Sequence, residues 1–145
     1  TGRVVAQLEA GEIPWRPGAL ELLAELQERG VPCALVSASY RRMLDVVVRR
    51  LPVGRFDAVV SGDEVTHGKP HPEPYLTAAA ALGVDPTQCV VIEDSGPGSA
   101  SGNAAGALVL AVKNMVDIPT NDRRLHLDTL SGVTVDRVQA WLADA

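Results

Sequence analysis

Apolar residues fall into short blocks along this chain, and the blocks alternate between two periods. Cys33-Ala34-Leu35-Val36, Cys89 to Ile92 and Ala107 to Val112 are short apolar runs, and Phe56 to Val60 is another, broken only by Asp57. Each is too brief for a helix and apolar on both faces, as a strand inside a covered sheet requires. Between them apolar side chains recur at helical spacing: Ala19, Leu22, Leu23 and Leu26, then Met43, Leu44, Val47, Val48 and Leu51, then Tyr75, Leu76, Ala79 and Leu82. Pro17 stands near the start of the first of these helices, Gly30 past its end, and Gly83 closes the third. Gly96 to Gly106 reads as a helix of small residues. Val4, Val5 and Leu8 share one helical face and predict a short helix over residues 1–10, followed by a linker from Pro14 to Gly18. Lys113 to Ser131 is expected to be irregular. Thr134 is placed to cap a last helix holding Val135, Val138, Trp141 and Leu142.

Short strands alternating with amphipathic helices predict right-handed βαβ units, hence an α/β fold with a parallel sheet. Open parallel sheets bind ligands outside the carboxyl ends of their strands, so those ends are where chemistry is to be sought.

Composition narrows the partners. The 145 residues are 46% hydrophobic and 21% charged, which is globular. Thirteen Lys and Arg stand against 18 Asp and Glu, a formal charge of −5. Nucleic acid is therefore not an expected partner, because phosphate neutralisation needs a basic face. No apolar run approaches the roughly 18 residues of a membrane span, and no membrane partner is expected. Cys33 and Cys89 both lie in apolar runs. They read as reduced core residues of a cytoplasmic protein. With only five aromatic residues, the core must be built from Ala, Val and Leu.

The strand ends carry Ser37-Ala38-Ser39, Ser61-Gly62-Asp63 and Glu93-Asp94-Ser95, and Lys69 stands in the loop after the second strand. A hydroxyl, an ammonium and two adjacent carboxylates suit phosphoryl transfer, which is mostly positioning and charge neutralisation. Two neighbouring carboxylates at the end of a buried strand repel each other unless a cation or donors compensate. His67 and His71 are four apart among prolines, which bars a shared helical face, and zinc is not expected there.

Leu35-Val36-Ser37-Ala38-Ser39, Gly68-Lys69-Pro70-x-Pro72-x-x-Tyr75, Val91-Ile92-Glu93-Asp94-Ser95-x-x-Gly98 and Asn103-Ala104-Ala105-Gly106 together resemble the haloacid dehalogenase superfamily. The likeness is to its branch of beta-phosphoglucomutase and sugar-phosphate phosphatases, and it covers about residues 14–112. It implies a Rossmann-like core, with a phosphate site at Ser37, Ala38 and Ser39. Lys69 would stabilise the nucleophile and the phosphoryl group, and Glu93 and Asp94 would hold Mg²⁺. It also implies a phospho-aspartyl intermediate, formed on an Asp-x-Asp pair at the end of a first strand.

No Asp-x-Asp stands at a strand end here. Residues 1–13 accordingly read as the end of a helical cap, and 14–145 as an incomplete core whose first strand and nucleophile lie outside this chain. The expected function is Mg²⁺-dependent hydrolysis of a small phosphorylated metabolite. A phosphomutase and a non-catalytic sugar-phosphate or Mg²⁺ binding domain are the alternatives. A signalling receiver is disfavoured, because receivers place their acids first and their lysine last.

Overall fold

The computed structural model describes residues 6–8, 18–50, 56–112 and 123–144. Its strands are β1 (Ala6–Leu8), β2 (Cys33–Val36), β3 (Ala58–Val60), β4 (Val90–Glu93), β5 (Leu108–Val112) and β6 (Arg124–Leu127). Its helices are α1 (Ala19–Glu28), α2 (Arg41–Arg50), α3 (Glu73–Leu82), α4 (Gly96–Ala104) and α5 (Val135–Asp144). The strands form one sheet in the order β3-β2-β1-β4-β5-β6, and every pairing is parallel. The fold is the expected Rossmann-like α/β core.

Alternate residues of β2, β4 and β5 feed opposite layers. Cys33, Leu35, Val90, Ile92, Leu108 and Leu110 pack with α1, α5 and Leu44 of α2. Ala34, Val36, Val91, Val109 and Ala111 pack with Tyr75, Ala78 and Ala79 of α3. Both faces of β2, β4 and β5 are covered, which is why these strands read as nearly unbroken apolar runs. The small residues of α4 let it lie close on the sheet. A Cβ on Gly102 would stand 2.9 Å from Val109 Cγ2 and 3.1 Å from Val91 Cγ1.

Two expectations are corrected. The helix over residues 1–10 is instead a strand at Ala6–Leu8, in the slot between β2 and β4. Ala6 pairs with Cys33 on one side and Val90 on the other. Without it both neighbours would show unpaired backbone groups in the middle of the sheet, and an extended segment satisfies both rows. Apolar residues at 4, 5 and 8 do not fix a period alone. The sequence Ala-Gln-Leu carries no carboxylate, so this strand is not the Asp-bearing strand of the resemblance.

The second correction falls in the stretch expected to be irregular, where Arg124–Leu127 forms β6, paired with Val109–Val112. The proposed linker, apart from Gly18, and the boundary near residue 13 lie outside the described residues. Thr134 does cap the last helix, its Oγ1 accepting from Arg137 N at 3.3 Å.

Candidate active site

In this strand order the sheet runs outward in opposite directions from β1 and β4, the switch point at which open α/β sheets bind ligands. The carboxyl ends of β2 and β4 flank β1. They lie two strand spacings, about 10 Å, apart. Ser37 follows the first of these strands; Glu93 ends the second, and Asp94 follows it.

Beside β2 the backbone forms a tight, braced loop. Ser37 is buried, and its Oγ accepts from Ser39 N at 3.0 Å. That leaves the Ser37 hydroxyl proton to be donated elsewhere. Gly62 N donates to Ser39 O at 2.8 Å, which locks this loop to the one after β3. The approach is so close that a Cβ on Gly62 would lie 2.1 Å from Ala38 O. Ser61 is fully buried; its hydroxyl lies 2.5 Å from Asp63 Oδ1 and 2.7 Å from Glu64 Oε1. Arg41 pairs with Glu64 at 2.5 Å, and its backbone N donates to Asp63 Oδ1 at 3.1 Å. The Ser61 hydroxyl, and after it the Arg41 N–H, hold the Asp63 carboxyl below its ordinary range.

Beside β4 the chemistry is ionic. Lys69 Nζ donates to Glu93 Oε2 at 2.6 Å, with side chains 7% and 0% exposed. A buried pair of this kind is costly to break, because removing one partner strands the other charge. Tyr75 hydroxyl donates to the same Oε2 at 2.5 Å, and Lys69 Nζ stands 5.1 Å from the Tyr75 ring centroid. Ser95 Oγ lies 3.2 Å from Glu93 Oε1 and caps α4 by accepting from Gly98 N at 3.0 Å. Glu93 Oε2 thus accepts from both Lys69 and Tyr75, while Oε1 faces Ser95. Asp94, 8% exposed, is the second hard carboxylate on this rim.

The loop that carries Lys69 is braced at both ends. Glu73 accepts from Thr66 N at 2.7 Å and His67 N at 3.1 Å, and Ser101 Oγ donates to His71 O at 2.7 Å. The Lys69–Pro70 peptide is cis. His67 and His71 share no helical face, as the prolines imply, but the loop brings their rings into a stack at 4.7 Å. His67, His71 and Glu73 bring three ligand atoms within 4.8 Å of one another on the exposed side of this loop. Glu73 N donates to His71 Nδ1 at 3.0 Å.

Of the expected site residues, Lys69 and Glu93 meet directly, and Ser37 and Ser39 form one turn. The hydroxyl of Tyr75 escaped sequence reading. Its one signal is that a buried tyrosine needs a polar partner.

Comparison with known proteins identifies the family. A family model described as haloacid dehalogenase-like hydrolase matches residues 3–106. The chain is 37% identical over 132 residues to the bifunctional riboflavin kinase/FMN phosphatase of Arabidopsis thaliana, covering 86% of this chain and 33% of that protein. It is 36% identical over 122 residues to hexitol phosphatase A of Escherichia coli K12, covering 83% and 56%. The crystal structure of beta-phosphoglucomutase from Clostridium difficile superposes with a TM-score of 0.76 at 26% identity, covering 89% of this chain and 56% of that one. The chain therefore spans between a third and just over half of the length of these proteins. The family match runs from the strand in the central slot through the helix behind Asp94, and the chain belongs to the haloacid dehalogenase-like hydrolases.

Proposed function

We propose that these residues form most of the core of a Mg²⁺-dependent phosphomonoesterase that acts in the cytoplasm on a small phosphorylated metabolite of the sugar phosphate class. The observation that carries this reading is the buried Lys69–Glu93 pair, 2.6 Å apart on the strand-end rim that also bears Asp94 and the Ser37 loop. A fixed ammonium offsets charge on phosphoryl oxygens where solvent screening is weak. Ser37 can donate its hydroxyl proton to a phosphate oxygen while its lone pair holds Ser39 N. Relatives that carry phosphatase names support the same class.

The donor set suits Mg²⁺: Asp94 and Glu93 Oε1 are hard oxygens, and Mg²⁺ is commonly held by one or two carboxylates plus substrate phosphate. When bound, the ion would polarise the phosphoryl group and offset its charge. The nucleophile in this reading is an aspartate outside these 145 residues. Its carboxylate oxygen attacks phosphorus, the P–O bond to the alcohol breaks, and the leaving alkoxide takes a proton from water. Water then splits the acyl phosphate, releasing phosphate and restoring the carboxylate.

The intact protein is expected to hydrolyse p-nitrophenyl phosphate with Mg²⁺, to stop on chelation, and to recover when Mg²⁺ returns. Asp94→Asn should reduce turnover by about 100-fold or more. Metal-independent turnover by the wild type overturns the reading. Calorimetric binding of phosphate esters without turnover would mark a binding domain instead, and transfer to a sugar hydroxyl a phosphomutase. The 145-residue chain alone is expected to be inactive.

A further inference from the structure

We infer that Tyr75 is a positioning residue for Lys69, acting through Glu93; the inference rests on the phosphatase reading above. Tyr75 is 1% exposed and packs its ring among Ala34, Val36 and Val91 under α3. Packing needs only the ring, which a phenylalanine would also supply. The hydroxyl does something else. It donates at 2.5 Å to Glu93 Oε2, the oxygen that accepts from Lys69 Nζ at 2.6 Å. The ring face stands 5.1 Å from the same ammonium. Lys69, Glu93 and Tyr75 therefore make a closed triangle in which each group limits the other two.

A carboxylate turns easily about its last torsion, which has a broad energy profile. Two short donors on one oxygen remove that freedom. The opposite side is closed as well, since a Cβ on Gly98 would come within 2.0 Å of Glu93 Cδ. Lys69 itself sits on a long, flexible stem. Its ammonium is aimed by what Glu93 does, and Glu93 is held in turn by the Tyr75 hydroxyl. Without that hydroxyl the ammonium can follow the carboxylate away from the phosphoryl oxygens. Transition-state stabilisation by a fixed charge then falls, while ground-state binding through the Ser37 loop stays.

The test is Tyr75→Phe in the intact protein, assayed with p-nitrophenyl phosphate and Mg²⁺ well below the melting temperatures of both proteins. The expected result is a fall in kcat of about tenfold with KM within about twofold. A merely structural role of the hydroxyl would lower Tm and leave kcat at that temperature within about twofold, and this result overturns the inference. A second variant pair checks the route. In a Lys69→Met background the same Tyr75→Phe change should leave kcat within about twofold. A full tenfold loss there would mean that Tyr75 acts elsewhere, and also overturns the inference. Failure of the parent reading looks different: the wild type itself would then show no Mg²⁺-dependent turnover.

Discussion

An alanine at position 98 would ordinarily favour a helix over glycine by about 1 kcal/mol. Contact with Glu93 reverses the sign. The added Cβ would meet the carboxylate at 2.0 Å, and that carboxylate cannot swing aside without releasing Lys69 and Tyr75. Gly98→Ala is therefore expected to lower Tm and to cut phosphatase turnover, as read by thermal melting and kcat. A variant as stable and active as the wild type would show that Glu93 has room to move. At this scale the sequence pointed to Lys69, Glu93, Asp94 and Ser37 because strand ends are readable and charged groups there are few. It did not point to the Tyr75 hydroxyl. Tyr75 stands at helical spacing with Leu76, Ala79 and Leu82, so the pattern describes a core ring and says nothing of its polar end. Its partner, 18 positions away, is supplied only by the packing of α3 against the sheet.

Among the elements, the loop before α3 depends on the first residue of that helix. The Thr66 N–H, then contact with His67, hold the Glu73 carboxyl below its ordinary value of 4.5. A carboxyl depressed by folding contributes stability that is present above the unfolded value and is lost as pH falls through the folded one. The Tm difference between wild type and Glu73→Gln should therefore be constant above about pH 6 and shrink as pH drops below 4.5. An unchanging difference would mean that this carboxylate does not brace the Lys69 loop. The strands β2, β4 and β5 were legible because burial on both faces writes an apolar run, and the helices because their apolar positions recur at helical spacing. β1 and β6 were not. Three residues at β1 are too few to show a period, and their state is decided by the two neighbours they join. At β6, Arg124-Leu125-His126-Leu127 does alternate, but its polar half disguises a strand. Arg124 is buried there with its Nε donating to Asn103 Oδ1 at 2.9 Å, a link from α4 that the strand itself does not announce.

For the molecule as a whole, the two cysteines report on both layers at once. Cys33 lies in the layer under α1 and α5, and Cys89 in the layer under α3. Both are free and fully buried. Burial, and after it the nearby Asp57 carboxylate, push the Cys33 thiol up to about 12. Neither thiol should react with a disulfide reagent at about pH 8 in the native protein, and both should appear together as denaturant unfolds it. Reaction of one before the other would show that the layers open separately. The fold class was legible at this scale because alternation of strand and helix leaves few topologies. The occupant of the central slot was not, since it depends on edges that exist only after the sheet is built. The parallel arrangement also separates two kinds of change open to this chain. Helices α1, α3 and α4 return to their next strands at one rim, through turns such as Gly83, which ends α3 in the left-handed region at φ 69°. Ser37, Lys69, Glu93 and Asp94 all belong to the other rim. Loops there can vary in length and chemistry without rethreading the sheet, so new substrate preferences can evolve on an unchanged frame.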